Sequence, residues 1–180
     1  MTIRKPKKFY FILLFAGVLA VAFQPASAQE EQKIPDGHTR YTRASLCGDY
    51  GVVGGYGGGV ARALGTQKMD GRGRLTASAI VNQPGPNDTR TITPLVLSGT
   101  YTVNPDGTGS MALTIALPSG STVDVTEDFV ITRNKMIGGS LIATEIQDAQ
   151  ESPSIILDEP TLAFHTYTLR SVSKSCHNGQ

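Results

Sequence analysis

Four rows of alternating apolar residues, separated by turn-forming residues, constrain the fold of this chain more than any other feature. Leu75, Ala77, Ala79 and Val81 form one row, and Leu95, Leu97, Gly99, Tyr101 and Val103 a second. Met111, Leu113, Ile115 and Leu117 form a third, and Val123, Val125, Glu127, Phe129 and Ile131 a fourth. Side chains two residues apart share one face of a strand, so each row predicts a strand with one face on a core. No window of useful length carries the 3.6-residue apolar period of an amphipathic helix.

The breaks between rows are those of hairpins. Asp70-Gly71-Arg72-Gly73 and Asp106-Gly107-Thr108-Gly109 both carry Asp-Gly, which tolerates the positive φ of tight turns. Pro118-Ser119-Gly120 and Arg133-Asn134-Lys135 are further short connections, and Pro84-Gly85-Pro86-Asn87-Asp88 is a longer loop. Strands are predicted at 47–56, 60–69, 74–82, 90–103, 108–117, 121–132, 136–144 and 161–172. Segment 145–160 reads as a loop, with Ile155 to Leu157 as a short extra strand. Short connections make sequential strands antiparallel neighbours. The expected fold is all-β, an antiparallel meander of about eight strands closing into a small barrel. A two-sheet sandwich is the alternative. A faint repeat, Gly-Thr before Asp-Gly-x-Gly, occurs at Gly65-Thr66 and again at Gly99-Thr100. Shared hairpin chemistry accounts for it as well as duplication does.

The N-terminus has the three parts of an export signal. Arg4, Lys5, Lys7 and Lys8 are followed by an uncharged apolar run from Phe9 to Phe23. At 1.5 Å rise per residue that run reaches only about 22 Å, short of the roughly 30 Å hydrocarbon core. Pro25 and Ala26-Ser27-Ala28 complete a signal of bacterial type, with cleavage expected before Gln29. An uncleaved membrane anchor is the alternative. The expected organisation is a signal peptide at 1–28, a flexible leader at 29–45, one domain at 46–176 and a tail at 177–180. The product is expected to be exported, periplasmic or secreted, without stable membrane insertion after cleavage.

Processing reverses the charge. Four of the 16 basic residues lie in the signal, leaving 12 against 15 acidic ones. No basic cluster survives, so no nucleic-acid partner is expected. The only cysteines, Cys47 and Cys176, are expected to form a disulfide in an oxidising compartment. It would close a loop of about 130 residues, worth up to roughly 4–5 kcal/mol by the chain-entropy model. Two unpaired thiols are the other reading.

Among ionisable residues Glu127 is the most informative, because it falls in phase with an apolar row. Facing a barrel core it would be costly to ionise, with a raised pKa suited to a catalytic acid or base. A bulge at Glu127-Asp128 that turns both outward is the competing reading. His165 and Tyr167 share one face of the last strand, and Leu162 and Phe164 hold the opposite phase. Either pair could face inward; with Tyr101, His165 and Tyr167 are the candidate ligand-binding residues, and a solvated strand face is the other reading of that pair. Six glycines between Gly51 and Gly59 surround Tyr56. They lack the pattern of a phosphate loop and read as a bent barrel strand, or as a mouth where backbone meets a ligand. No zinc-binding helix, Cys/His cluster or Asp-rich metal loop is present, so neither a metal nor another cofactor is expected.

The stretch Gly99-Thr100-Tyr101-Thr102-Val103-Asn104-Pro105-Asp106-Gly107-Thr108-Gly109 resembles a segment of small secreted bacterial β-barrel proteins, whose architecture is similar to calycin and allene oxide cyclase-like barrels. The resemblance implies a barrel and carries no catalytic residues onto this chain. The expected function is binding of a small apolar molecule in the interior. A cyclase or isomerase using Glu127 in the same cavity, and a surface protein with a filled core, are the alternatives.

Overall fold

The computed structural model describes residues 40–56, 61–155 and 160–173, all within the compact unit Gly37–Gln180. Eight strands form a closed barrel: β1 (Cys47–Tyr56), β2 (Ala61–Asp70), β3 (Arg74–Pro84), β4 (Arg90–Val103), β5 (Thr108–Ala116), β6 (Thr122–Ile137), β7 (Ser140–Gln150) and β10 (Phe164–Ser171). A two-stranded excursion, β8 (Ser154–Ile155) with β9 (Pro160–Thr161), stands between β7 and β10. Every pairing is antiparallel, and β10 returns beside β1 to close the ring. Closure excludes the sandwich. Among the described residues no helix is long and apolar enough to cross a membrane.

The alternating rows line the interior. Leu75, Val81, Leu95, Tyr101, Met111, Leu113, Ile115, Val125, Phe129 and Ile131 are all buried in one core. Their neighbours on β5 and β6, such as Thr114, Asp124 and Thr126, are exposed. The two Asp-Gly turns are built alike. The Asp70 carboxylate accepts from the backbone N–H of Arg72 and Arg74, and Asp106 accepts from that of Thr108. Gly71 and Gly107 hold φ of 75° and 90°, a region that disfavours side chains.

The largest departure from the sequence reading lies between β6 and β7. Arg133-Asn134-Lys135 is not a turn. The register shifts on either side of Arg133, which is how a strand absorbs residues that do not fit the ladder. β6 runs on to Ile137, and the chain reverses at Gly138 and Gly139, with φ of 57° and 81°. The second strand of this hairpin therefore occupies 140–150, taking in residues expected in a loop.

The last part of the expected leader is also ordered. Arg43–Ser45 form a short 3-10 turn flanked by Thr42 and Leu46, with Ser45 and Leu46 buried. Tyr41 packs against the core and its backbone N–H donates to Pro105. The anchor is Tyr101, whose hydroxyl donates to the carbonyls of Leu46 at 2.8 Å and Arg43 at 3.2 Å. Tyr101 thus holds the chain entering β1, with its hydroxyl turned to these two carbonyls. Its phenol is pushed up to about 12, by burial first. Cys47 is buried at the start of β1, while Cys176 lies outside the described residues, as do the signal segment and residues 29–39.

Tyr101→Phe keeps the ring and removes one donor from carbonyls that also accept from the backbone N–H of Leu46 and Gly71. It is expected to destabilise the chain by about 0.5–1.5 kcal/mol in denaturant unfolding, the net worth of one hydrogen bond.

Candidate functional site

Near the end of the barrel where β1 finishes and β10 begins, the interior changes from apolar to polar. Register explains which side chains meet. Gly54 of β1 stands opposite His165 of β10, and His165 stands opposite Asp148 of β7. On the other side of β7, Glu127 of β6 pairs with Gln150. Inward side chains alternate, so Tyr56, Glu127, Asp148, Gln150, His165 and Tyr167 all enter the core.

Asp148 is the hub. Its carboxylate accepts from the His165 backbone N–H at 2.7 Å and from His165 Nδ1 at 2.9 Å. The Tyr167 hydroxyl donates to its other oxygen in a short hydrogen bond. With Nδ1–H engaged, His165 Nε2 is left as the acceptor, and the Tyr56 hydroxyl donates to it at 2.9 Å. A continuous chain thus runs Tyr56–His165–Asp148–Tyr167 across three strands. The phenols of Tyr56 and Tyr167 are both held well above the usual tyrosine range, first by burial and then by the nearby carboxylates.

Glu127 completes the group. One oxygen lies 3.7 Å from His165 Nδ1, and the other, Oε2, has no hydrogen-bond partner although it is buried. Burial, and then repulsion from Asp148, push its pKa up to about 9. Two carboxylates this close in a low dielectric do not both ionise readily, and burial favours the protonated form of Glu127. The bulge that would have turned it outward is absent: pairing is regular from Thr122 to Ile131.

Beside these groups lies a narrow cavity. Tyr56, Glu127, Gln150, His165 and Tyr167 line its polar side. Ala63, Ala77, Ala79, Leu95, Leu113 and Ile115 line the apolar side, where the short alanines leave the room. The space open to the centre of a water-sized molecule is about 30 Å³, against the roughly 10–15 Å³ that one water requires.

The glycines around Tyr56 have a specific task at one position. A Cβ on Gly54 would lie 2.1 Å from His165 Cδ2, so the imidazole rests directly over the β1 backbone. Gly51, Gly54 and Gly55 hold no positive φ, so at Gly54 it is this close approach that requires glycine, whereas the irregularity of β1 lies at its start, where Gly48 holds φ of 158° and the register shifts between Asp49 and Tyr50. Gly57 to Gly59 lie outside the described residues.

Of the residues expected at the site, Glu127, His165 and Tyr167 are brought together and Tyr101 is not. Phe164 and Leu162 point outward, at 59% and 53% exposure, which makes His165 and Tyr167 the inward pair. Asp148 and Gln150 were missed because they fell in an expected loop. Tyr56 was passed over among its glycines, though its spacing of two from Gly54 and six from Tyr50 places all three on one face. Compared with protein families, curated proteins and solved structures, the chain matches none.

Glu127 makes stability depend on pH. Its folded pKa lies above the unfolded value of 4.5, so the unfolded chain loses this proton first as pH rises. The stabilisation is complete below about pH 4.5 and is lost progressively towards pH 9, on the order of several kcal/mol over the window. Asp148 from β7, His165 and Tyr167 from β10 and Tyr56 from β1 are the ionisable groups facing it. Denaturant unfolding from pH 5 to pH 9 is expected to show falling stability, and Glu127→Gln to flatten that fall.

Proposed function

We propose that the barrel interior binds a small, mostly apolar molecule through one polar group that meets Glu127. The observation that carries this reading is the unpartnered Glu127 Oε2 beside a cavity whose other wall is alanine, leucine and isoleucine. A buried polar atom without a partner costs about 1–3 kcal/mol, a cost that a ligand hydrogen bond removes. The narrowness of the cavity favours a slender or compact molecule, or one that enters as side chains on the alanine wall shift. Eight-stranded barrels hold one small ligand, which is also the architecture implied by the likeness to calycin and allene oxide cyclase-like barrels.

A second reading is favoured by the Tyr56–His165–Asp148 chain. A carboxylate that orients an imidazole, with a hydroxyl on the far nitrogen, is the arrangement of a general base with its orienting group. With Glu127 as the proton donor, it would serve an isomerase or cyclase acting on a substrate in the same cavity.

Native mass spectrometry of the purified protein is expected to reveal a small molecule bound one per chain, and Glu127→Ala to release it. Protein that is empty as isolated and takes up no member of a panel of small apolar alcohols, aldehydes and acids would remove the binding reading. Conversion of a bound compound by the parent chain, lost in His165→Ala, would select the enzymatic one.

We also propose export with cleavage before Gln29 and a disulfide between Cys47 and Cys176. The secreted or periplasmic protein is then expected to begin at Gln29 and to yield two thiols only after reduction. An intact N-terminus, or two thiols titrated without reductant, would contradict these two points respectively.

A further inference from the structure

Glu127, Asp148 and His165 each offer one ligand atom, and these atoms lie within 4.8 Å of one another, all in buried side chains. His165 Nδ1 stands 2.9 Å from Asp148 Oδ1 and 3.7 Å from Glu127 Oε1. Two ligand atoms sharing a tetrahedral ion at about 2.1 Å are roughly 3.4 Å apart, between these two separations. From this geometry we propose that the three side chains bind a divalent transition-metal ion, of the zinc or manganese class, inside the barrel. The proposal uses the same side chains as the cavity reading, and it stands whether or not an organic molecule binds.

The donor set is one imidazole nitrogen and two carboxylates, which suits borderline ions and gives a neutral site when both carboxylates are charged and the ion is a dication. Glu127 releases its proton on binding. The proton on His165 Nδ1 moves to Nε2, and the hydrogen bond with Tyr56 reverses, so that Nε2–H donates to the Tyr56 oxygen. The outer partners needed to fix such ligands are already in place. Tyr56 holds the far nitrogen of His165, and Tyr167 with the His165 backbone N–H holds the carboxylate of Asp148. Three protein ligands leave a further position. Of the three, Glu127 and His165 line the cavity and Asp148 does not.

Glu127 Oε2, on the same carboxyl group, is buried without a hydrogen-bond partner, so the cluster carries an unused ligand atom. A group kept only for stability would be expected to find a partner, since the backbone and side chains around it satisfy every other buried side-chain polar atom among the described residues.

The test is isothermal titration of chelator-treated protein with Zn²⁺ and, separately, Mn²⁺. One ion per chain is expected for at least one of them. Glu127→Gln is expected to weaken binding at least tenfold, and His165→Ala to abolish it. Co²⁺ substituted at the site is expected to give absorption bands whose intensity reports four- or five-coordination. His38→Ala with His177→Ala removes the two other histidines and is expected to leave binding unchanged. Should the His165 variant fail to fold, loss of the cobalt bands in Glu127→Gln, with its fold checked by circular dichroism, carries the same weight. Absence of saturable binding by either ion overturns the proposal. So does binding that survives in the folded Glu127→Gln and His165→Ala variants, or that disappears with His38 and His177.

Discussion

The interior of this barrel depends on how one carboxylate, that of Asp148, is satisfied. Its side chain has no exposure, and three donors converge on it. Those bonds fix the ring of His165, which fixes the acceptor offered to Tyr56, and after burial itself the same carboxylate is what most raises the pKa of Glu127. Removing such a hub leaves several donors buried and unpaired, whereas replacing the whole cluster by apolar side chains can cost nothing. Stability alone therefore gives weak reason for the group, and the cavity beside it gives a better one.

The fold was legible because its rules are local. Period-two rows and Asp-Gly turns specify hairpins within a few residues, and the inward rows on β3 to β6 stand where alternation placed them. What was not legible depended on register. Arg133-Asn134-Lys135 has turn chemistry, yet Gly138-Gly139 reverses the chain, because the longer β6 lets β7 continue alongside it to Gln150. Nothing in the composition of 145–150 marks it as a strand: Glu145, Gln147 and Asp148 weaken any alternation. The same shift hid the hub of the site. Asp148 could be recognised only once β7 was known to lie between β6 and β10.

Tyr101 shows a different limit. Its place in an inward row was correct, but period two gives the face and not the height along the barrel. Near the end of β4, Tyr101 reaches Leu46 and Arg43, while the polar cluster lies towards the other end. A tyrosine hydroxyl in a core must find an acceptor, and the carbonyls of the entering 3-10 turn, each with a second lone pair beyond its backbone hydrogen bond, supply one.

The two ends of the barrel consequently do different work. One carries the turn at Arg43–Ser45 and the buried Leu46, which fill space and tie the chain to Tyr101. At the other, glycine and alanine replace bulk: Gly54 admits His165 against the backbone, and Ala63, Ala77 and Ala79 leave a gap facing Glu127. A barrel selected only for packing would fill that gap, because each missing methylene on a core wall forfeits roughly 1 kcal/mol. Large residues where the chain is anchored, and small ones opposite the unpartnered carboxyl group, make the gap part of the site. An occupant held there must satisfy Glu127 Oε2 and tolerate an apolar wall, conditions that an organic molecule with one polar group meets in one way and a metal-bound small ligand in another.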